Sequence, residues 1–307
     1  MEKLKHIIST KQFDRAMLEQ LFLVATEMES MDDQGTCSTM LNCKIMATLF
    51  YEPSTRTRFS FEAAMLKLGG QVITTENATQ FSSVAKGETL EDTIRIVNGY
   101  ADVIVLRHSD NNAPEIAAKV SEVPVINAGA GTGEHPTQAL LDMLTIHKEL
   151  KQIDGLHVGM VGDIKYSRVI RSLIKFLGLY KNIKMDFCSP LELSLTDEDR
   201  AYLQEKKIPY AEHASVDSFI ASVDVLYVTR VQKERFASQD EYERLKNAYV
   251  IDKNTIKKMK QEAIIMHALP RITEIASEVD SDPRAAYFRQ AQNGLYIRMA
   301  LLKMLLT

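Results

Sequence analysis

Short apolar runs recur along the chain, and stretches with apolar residues at helical spacing separate them. Residues 45–51 (IMATLFY), 71–75, 103–106 and 123–127 read as strands. A second set falls at 157–161, 183–188, 223–228 and 263–266. Helical periodicity covers 59–68, stopped by Gly69 and Gly70, and then 88–99, 137–150, 167–177, 196–207 and about 284–302. Strands that alternate with helices predict parallel sheets with helices on both faces. Two sets of four strands predict two α/β domains rather than one long sheet. The pattern breaks at AGAGTGEHP, just ahead of a helix expected to bridge the halves. Ligands of open α/β sheets bind at the carboxyl ends of the strands, so two such domains facing each other predict a cleft.

Composition narrows the class. The chain has 307 residues, 45% hydrophobic and 25% charged, which is the profile of a soluble globular protein with material for two cores. A net charge of -4 argues against general nucleic-acid binding. Cys37, Cys43 and Cys188 have no metal-type spacing, and an odd count suggests no disulfide framework. A reduced, cytoplasmic setting is expected. The start, MEKLKHIISTKQF, lacks a secretory apolar core, and no apolar run reaches membrane-spanning length, so no membrane association is expected.

The polar residues at strand ends change the picture. YEPSTRTRFSFE (51–62) sits where a strand ends and a helix begins. A helix N-terminus offers backbone N–H groups and the positive end of the helix dipole. Ser54 or Thr55 there would cap the helix. Arg56 and Thr57 beside them suit a phosphate, since a guanidinium binds two oxygens at once. An ordinary cap flanked by two surface arginines is the plainer alternative. Arg107 and His108, His135 with Thr137 and Gln138, Lys165 and Arg168, Arg230 and Gln232, and His267 and Arg271 fall on similar joints. Singly, each has a structural explanation, such as a core histidine or a solvated helix start. Together they place charge at the end of nearly every strand, as a convergent anion site would. No Walker loop and no dinucleotide fingerprint occurs, which disfavours an ATP or nicotinamide site.

These residues resemble the aspartate/ornithine carbamoyltransferase family over essentially the whole length, and its aspartate branch in particular. The motifs are STRTR (54–58) followed by FSFE, KGETL (86–90), Arg107-His108, HPTQ (135–138), VGDIKYSR (161–168), TRVQKER (229–235) and Leu269-Pro-Arg271. The resemblance implies a carbamoyl-phosphate-binding domain of residues 1–134 plus 292–307 and an aspartate-binding domain of 135–291, with the active site in the cleft. It implies transfer of a carbamoyl group from carbamoyl phosphate to L-aspartate, with no cofactor, no metal and no covalent intermediate. Ser54, Thr55, Arg56, Thr57 and Arg107 would bind the phosphate. Thr57, Arg107 and His135 would hold the carbamoyl oxygen. Gln138 and the backbone carbonyl of Leu269 would contact the carbamoyl amino group. Arg168, Arg230 and Gln232, with Lys86, would bind aspartate. Ser82 and Lys86 would enter from a neighbouring subunit of a homotrimer with shared sites, and regulatory chains occur in some members. Arg56, Thr57, Lys86, Arg107 and His135 would be the catalytic set.

One position departs from the family pattern. His267-Ala268-Leu269-Pro270 stands where the aspartate enzymes usually carry a proline second. The expected contact is a backbone carbonyl and survives the change, but alanine lacks proline's fixed φ and holds the loop less rigidly. The motif also becomes silent on which amino acid is carbamoylated. Ornithine carbamoyltransferase is the close alternative. Arg230 opposes it, because a guanidinium repels a side-chain amine, and the Ser-Met-Gly motif of the ornithine enzymes is absent. A non-catalytic anion-binding homologue is a further alternative; loss of Arg56, Lys86, Arg107 or His135 would support it, and none is lost.

Overall fold

The computed structural model describes residues 4–35, 38–78, 87–232, 238–245 and 248–307. Ser82 and Lys86 lie outside the described residues, as does the KER end (233–235) of TRVQKER.

The chain forms two compact units, residues 1–141 with 292–307 and residues 142–291. The division falls within two helices, Pro136–Leu150 and Tyr287–Leu306.

The first unit is built on a four-stranded sheet of β1 (Ile45–Phe50), β2 (Gln71–Glu76), β3 (Val103–His108) and β4 (Val125–Ala130), in the order β2-β1-β3-β4. Every pairing in it is parallel. Parallel strands covered on both faces read as unbroken apolar runs, and the central strand β1 (IMATLF) is buried over five of its six residues. Helices Leu90–Val97 and Ala113–Val120 cover one part of this sheet. Ile94, fully buried, packs with Ala47, Leu49, Ile104 and Leu106. Burying such a side chain contributes about 1.5–3 kcal/mol.

The second unit holds β5 (His157–Val161), β6 (Lys184–Cys188), β7 (Tyr210–His213), β8 (Val225–Val228) and β9 (Ile264–His267), all parallel, in the order β7-β6-β5-β8-β9. Its sheet has one strand more than the sequence pattern indicates. β7 is a four-residue edge strand, YAEH, only partly buried, so it has no apolar run to reveal it. Helix Arg168–Leu177 buries Ile170, Leu173, Ile174 and Leu177, one face at helical spacing, and the Ser167 side chain caps it by accepting from Ile170 N–H. Among the described residues, no helix is long and apolar enough to cross a membrane.

Candidate active site

In the first unit, β1 leads directly into the helix Thr55–Lys67. The sequence pattern starts this helix at Phe59. In the structure STRTR supplies the N-cap and the first turn, because polar residues in an exposed first turn carry no period to read. Ser54 is the N-cap residue (φ −160°, ψ 90°), yet its side chain makes no capping hydrogen bond. The N–H of Arg58 bonds the Ser54 carbonyl at 3.0 Å, so the N–H groups of residues 55 to 57 precede the first turn's closure and have no helical carbonyl to meet. By contrast, Asp14, Thr89, Thr196 and Asp252 cap their helices through the side chain. An anion arriving at Ser54 meets backbone donors, hydroxyls and the positive end of the helix dipole. Thr57 is buried and Arg56 exposed.

Arg107 stands near the end of β3, opposite Phe50 of β1. Pairing with β4 shifts register between Leu106 and His108, a bulge of the kind that re-aims the side chain it contains. The guanidinium donates to the Ala128 carbonyl at 3.3 Å and lies 3.8 Å from the Glu52 carboxylate. His135 follows β4 and is buried, with Nδ1 3.5 Å from the Thr137 hydroxyl. Gln138 donates its backbone N–H to the His135 carbonyl at 3.1 Å, in the first turn of Pro136–Leu150. Strands β1, β3 and β4 are adjacent and parallel. Their carboxyl ends therefore bring Ser54 to Thr57, Arg107 and His135 to one edge of the sheet. His108 turns to local structure instead. Its ring lies 4.6 Å from that of Tyr51, and its Nδ1 accepts from Asp110 N–H.

The second unit gathers charge in the same way at β5, β8 and β9. The N–H of Thr229 bonds the Val161 carbonyl at 2.8 Å. Gly162 makes this approach feasible: its φ is +113°, and a Cβ there would lie 2.1 Å from the Thr229 carbonyl oxygen. Arg168 opens the helix after β5, and Arg230 and Gln232 follow β8; all three are half-buried. Asp163, fully buried, lies beside Gln232 and Arg230. It accepts from Tyr166 N–H at 3.0 Å and from the Gln232 side-chain amide at 3.5 Å. Burial pushes its carboxyl up to about 6, against the opposing pull of those bonds and of the Arg230 charge. After β9, Leu269 adopts a left-handed backbone with φ +54°.

Asp163, Glu52 and Glu274 carry polar contacts in these clusters that the sequence reading did not assign. Asp163 had a usable signal, an acid directly after the buried run HVGMVG. Among the described residues, no group of three or more His, Cys, Asp or Glu side chains could hold a metal ion.

The chain matches known proteins over nearly its whole length. Residues 5–148 match the family model for the aspartate/ornithine carbamoyltransferase carbamoyl-P binding domain, and residues 154–305 match the model for the Asp/Orn binding domain. The chain is 52% identical to the chloroplastic aspartate carbamoyltransferase of Arabidopsis thaliana over 99% of this chain and 78% of that one. It is 47% identical to an aspartate carbamoyltransferase catalytic subunit of Clostridium botulinum, over 100% of this chain and 99% of that one. Among solved structures, Trypanosoma cruzi aspartate transcarbamoylase in complex with carbamoyl phosphate and aspartate superimposes with a TM-score of 0.94 at 42% identity, covering 99% of this chain and 97% of that one. The catalytic subunit of M. jannaschii aspartate transcarbamoylase gives 0.92 at 47% identity, with 98% of each chain covered.

Proposed function

The chain belongs to the aspartate/ornithine carbamoyltransferase family, and from that premise we propose how its residues divide the work. It is a transferase that moves the carbamoyl group of carbamoyl phosphate to the amine of L-aspartate, giving N-carbamoyl-L-aspartate and phosphate. The amine nitrogen bonds to the carbamoyl carbon, the bond from that carbon to the phosphate oxygen breaks, and the amine gives up a proton. Both substrates are anions, and negative charge develops on the carbamoyl oxygen. Preorganised donors at that oxygen and at the phosphate are the main catalytic requirement.

The observation that carries the assignment is the N-terminus of Thr55–Lys67, whose N-cap Ser54 makes no side-chain capping bond, set on the same sheet edge as Arg107 and His135. Ser54, Thr55, Arg56, Thr57 and Arg107 take the phosphate. Thr57, Arg107 and His135 donate to the carbamoyl oxygen, while Gln138 and the Leu269 carbonyl accept from the carbamoyl amino group. Arg168, Arg230 and Gln232 bind the aspartate carboxylates. Asp163 supports that set from beneath by bonding Gln232 and facing Arg230. Ser82 and Lys86 act across the interface of a homotrimer, and Lys86 completes the aspartate site. The unpaired thiols Cys43 and Cys188 fit a reducing compartment such as the cytoplasm. The Arabidopsis relative is named as chloroplastic.

N-phosphonacetyl-L-aspartate tests these roles, because it carries a phosphonate, through an acetyl link, on the nitrogen of an aspartate whose two carboxylates stay free. In calorimetry, Arg56→Ala and Arg230→Ala should each weaken its binding strongly. Unchanged binding by Arg230→Ala would remove that residue from the aspartate site.

A further inference from the structure

His267 ends β9 and is 3% exposed, and both its ring nitrogens are engaged. The N–H of Leu269 meets Nδ1 at 2.8 Å, so Nδ1 is the acceptor and the ring proton sits on Nε2. Nε2 then donates to Glu274 Oε1 at 2.8 Å. The other carboxylate oxygen of Glu274 accepts from the N–H groups of Ile272 and Thr273, each at 3.0 Å. Burial pushes the Glu274 carboxyl up, but the bonds from His267 and the backbone outweigh it and keep the group ionised. The His267 backbone N–H donates to Gln290 Oε1 at 2.9 Å, and the Gln290 side-chain amide donates to Asp142 at 2.7 Å. The ring is thus fixed in tautomer, orientation and position.

Leu269 needs such a support. An L-residue at φ +54° is held against a preference of about 1–2 kcal/mol for the right-handed side. Ala268 supplies none of the stiffness that proline would. Were Leu269 to relax to negative φ, its carbonyl would swing away. We propose that His267, oriented by Glu274, is a positioning residue: its Nδ1 pins the Leu269 N–H and so aims the Leu269 carbonyl at the carbamoyl amino group. This rests on the role given to that carbonyl above.

Asparagine and glutamine at position 267 separate the two ring nitrogens. Asn Oδ1 falls near the place of Nδ1 and accepts the N–H two residues on, as in an Asx-turn. Gln reaches the place of Nε2, keeping the contact with Glu274 while offering Leu269 no acceptor. Two readouts apply to H267N, H267Q and H267A: hydrogen exchange of the Leu269 amide, and steady-state turnover of carbamoyl phosphate with aspartate. Slow exchange is expected in wild type and H267N, and fast exchange in H267Q and H267A. H267Q and H267A should lose about 10²-fold in kcat, with H267N at least about tenfold better than H267Q. Competitive inhibition by inorganic phosphate, bound in the first unit, should be unchanged in all three. A purely structural histidine would make H267Q, which keeps the Glu274 contact, the equal or better of H267N. That result, or a Leu269 amide indifferent to all three changes, overturns the proposal. If wild type turns over no aspartate, the assigned reaction fails and with it the purpose given to His267, while the exchange pattern still reports whether Nδ1 holds Leu269. Should H267A not fold, the comparison of H267N with H267Q decides alone.

Discussion

The Tyr227 hydroxyl donates to the Asp142 carboxylate at 2.9 Å, and neither side chain has any exposure to solvent. The link ties β8 to the helix Pro136–Leu150 inside the second unit. Burial and the facing carboxylate hold the phenol far above its ordinary range, so the proton stays on Tyr227. Tyr227→Phe removes one donor from a buried carboxylate. It should cost about 1.5–3 kcal/mol of stability. A lowered urea or thermal midpoint checks this; an unchanged midpoint would mean Asp142 does not depend on the phenol.

Asp163 gives a dependence on pH. Its folded value, about 6, lies above the ordinary 3.8. A raised carboxyl favours the fold while protonated, so its contribution is complete below about pH 4 and is lost as pH rises through 6. The span corresponds to about 3 kcal/mol. Asp163→Asn should remove that component. The difference in stability between wild type and variant, followed from pH 4 to 7, should shift in the variant's favour by an amount of that order. A flat difference curve would contradict the assignment.

Gly162→Ala should be severe, because two penalties coincide. The residue would have to hold φ +113°, and its Cβ would meet the Thr229 carbonyl at 2.1 Å. A loss of about 3 kcal/mol or more is expected. The displaced segment leads into Arg230, so any folded variant should also show a raised KM for aspartate. A stable variant with normal KM would show that the β5 and β8 ends move independently of the aspartate residues.

Lys86 tests the proposed homotrimer with shared sites. In such a trimer, Arg56→Ala and Lys86→Ala should each leave little activity. After dissociation, mixing and reassembly, each mixed trimer should regain about one intact site in three, by rotation symmetry. Verified hybrids without activity, beside wild type that survives the same treatment, would place Lys86 in its own subunit's site.

Much of the fold was legible because both sheets are parallel and their inner strands are buried, so IMATLF and VLYV stand out as apolar runs. Edge strand β7 was not, since half-exposed YAEH has neither an apolar run nor clear alternation. The helix Arg15–Asp33 is absent from the sequence reading although Leu18, Leu21, Phe22, Ala25 and Met28 carry helical spacing; it precedes the first strand, outside the βα alternation used as a guide. At the joints, residue types single out Arg56, Arg107 and Arg230 as candidates, because guanidinium groups at strand ends have a recognisable chemistry. The tie between His267 and Glu274 had no such signal. It joins residues seven apart through a turn, and only backbone geometry shows that one nitrogen serves Leu269 and the other the carboxylate.

The acceptor assay tests the central claim most directly. Purified protein is given carbamoyl phosphate with L-aspartate, with L-ornithine or with no acceptor, and released phosphate and carbamoylated product are measured together. Release should depend on aspartate and match N-carbamoyl-L-aspartate one for one, with ornithine near the background without acceptor. Preference for ornithine, or phosphate release indifferent to any acceptor, would contradict it.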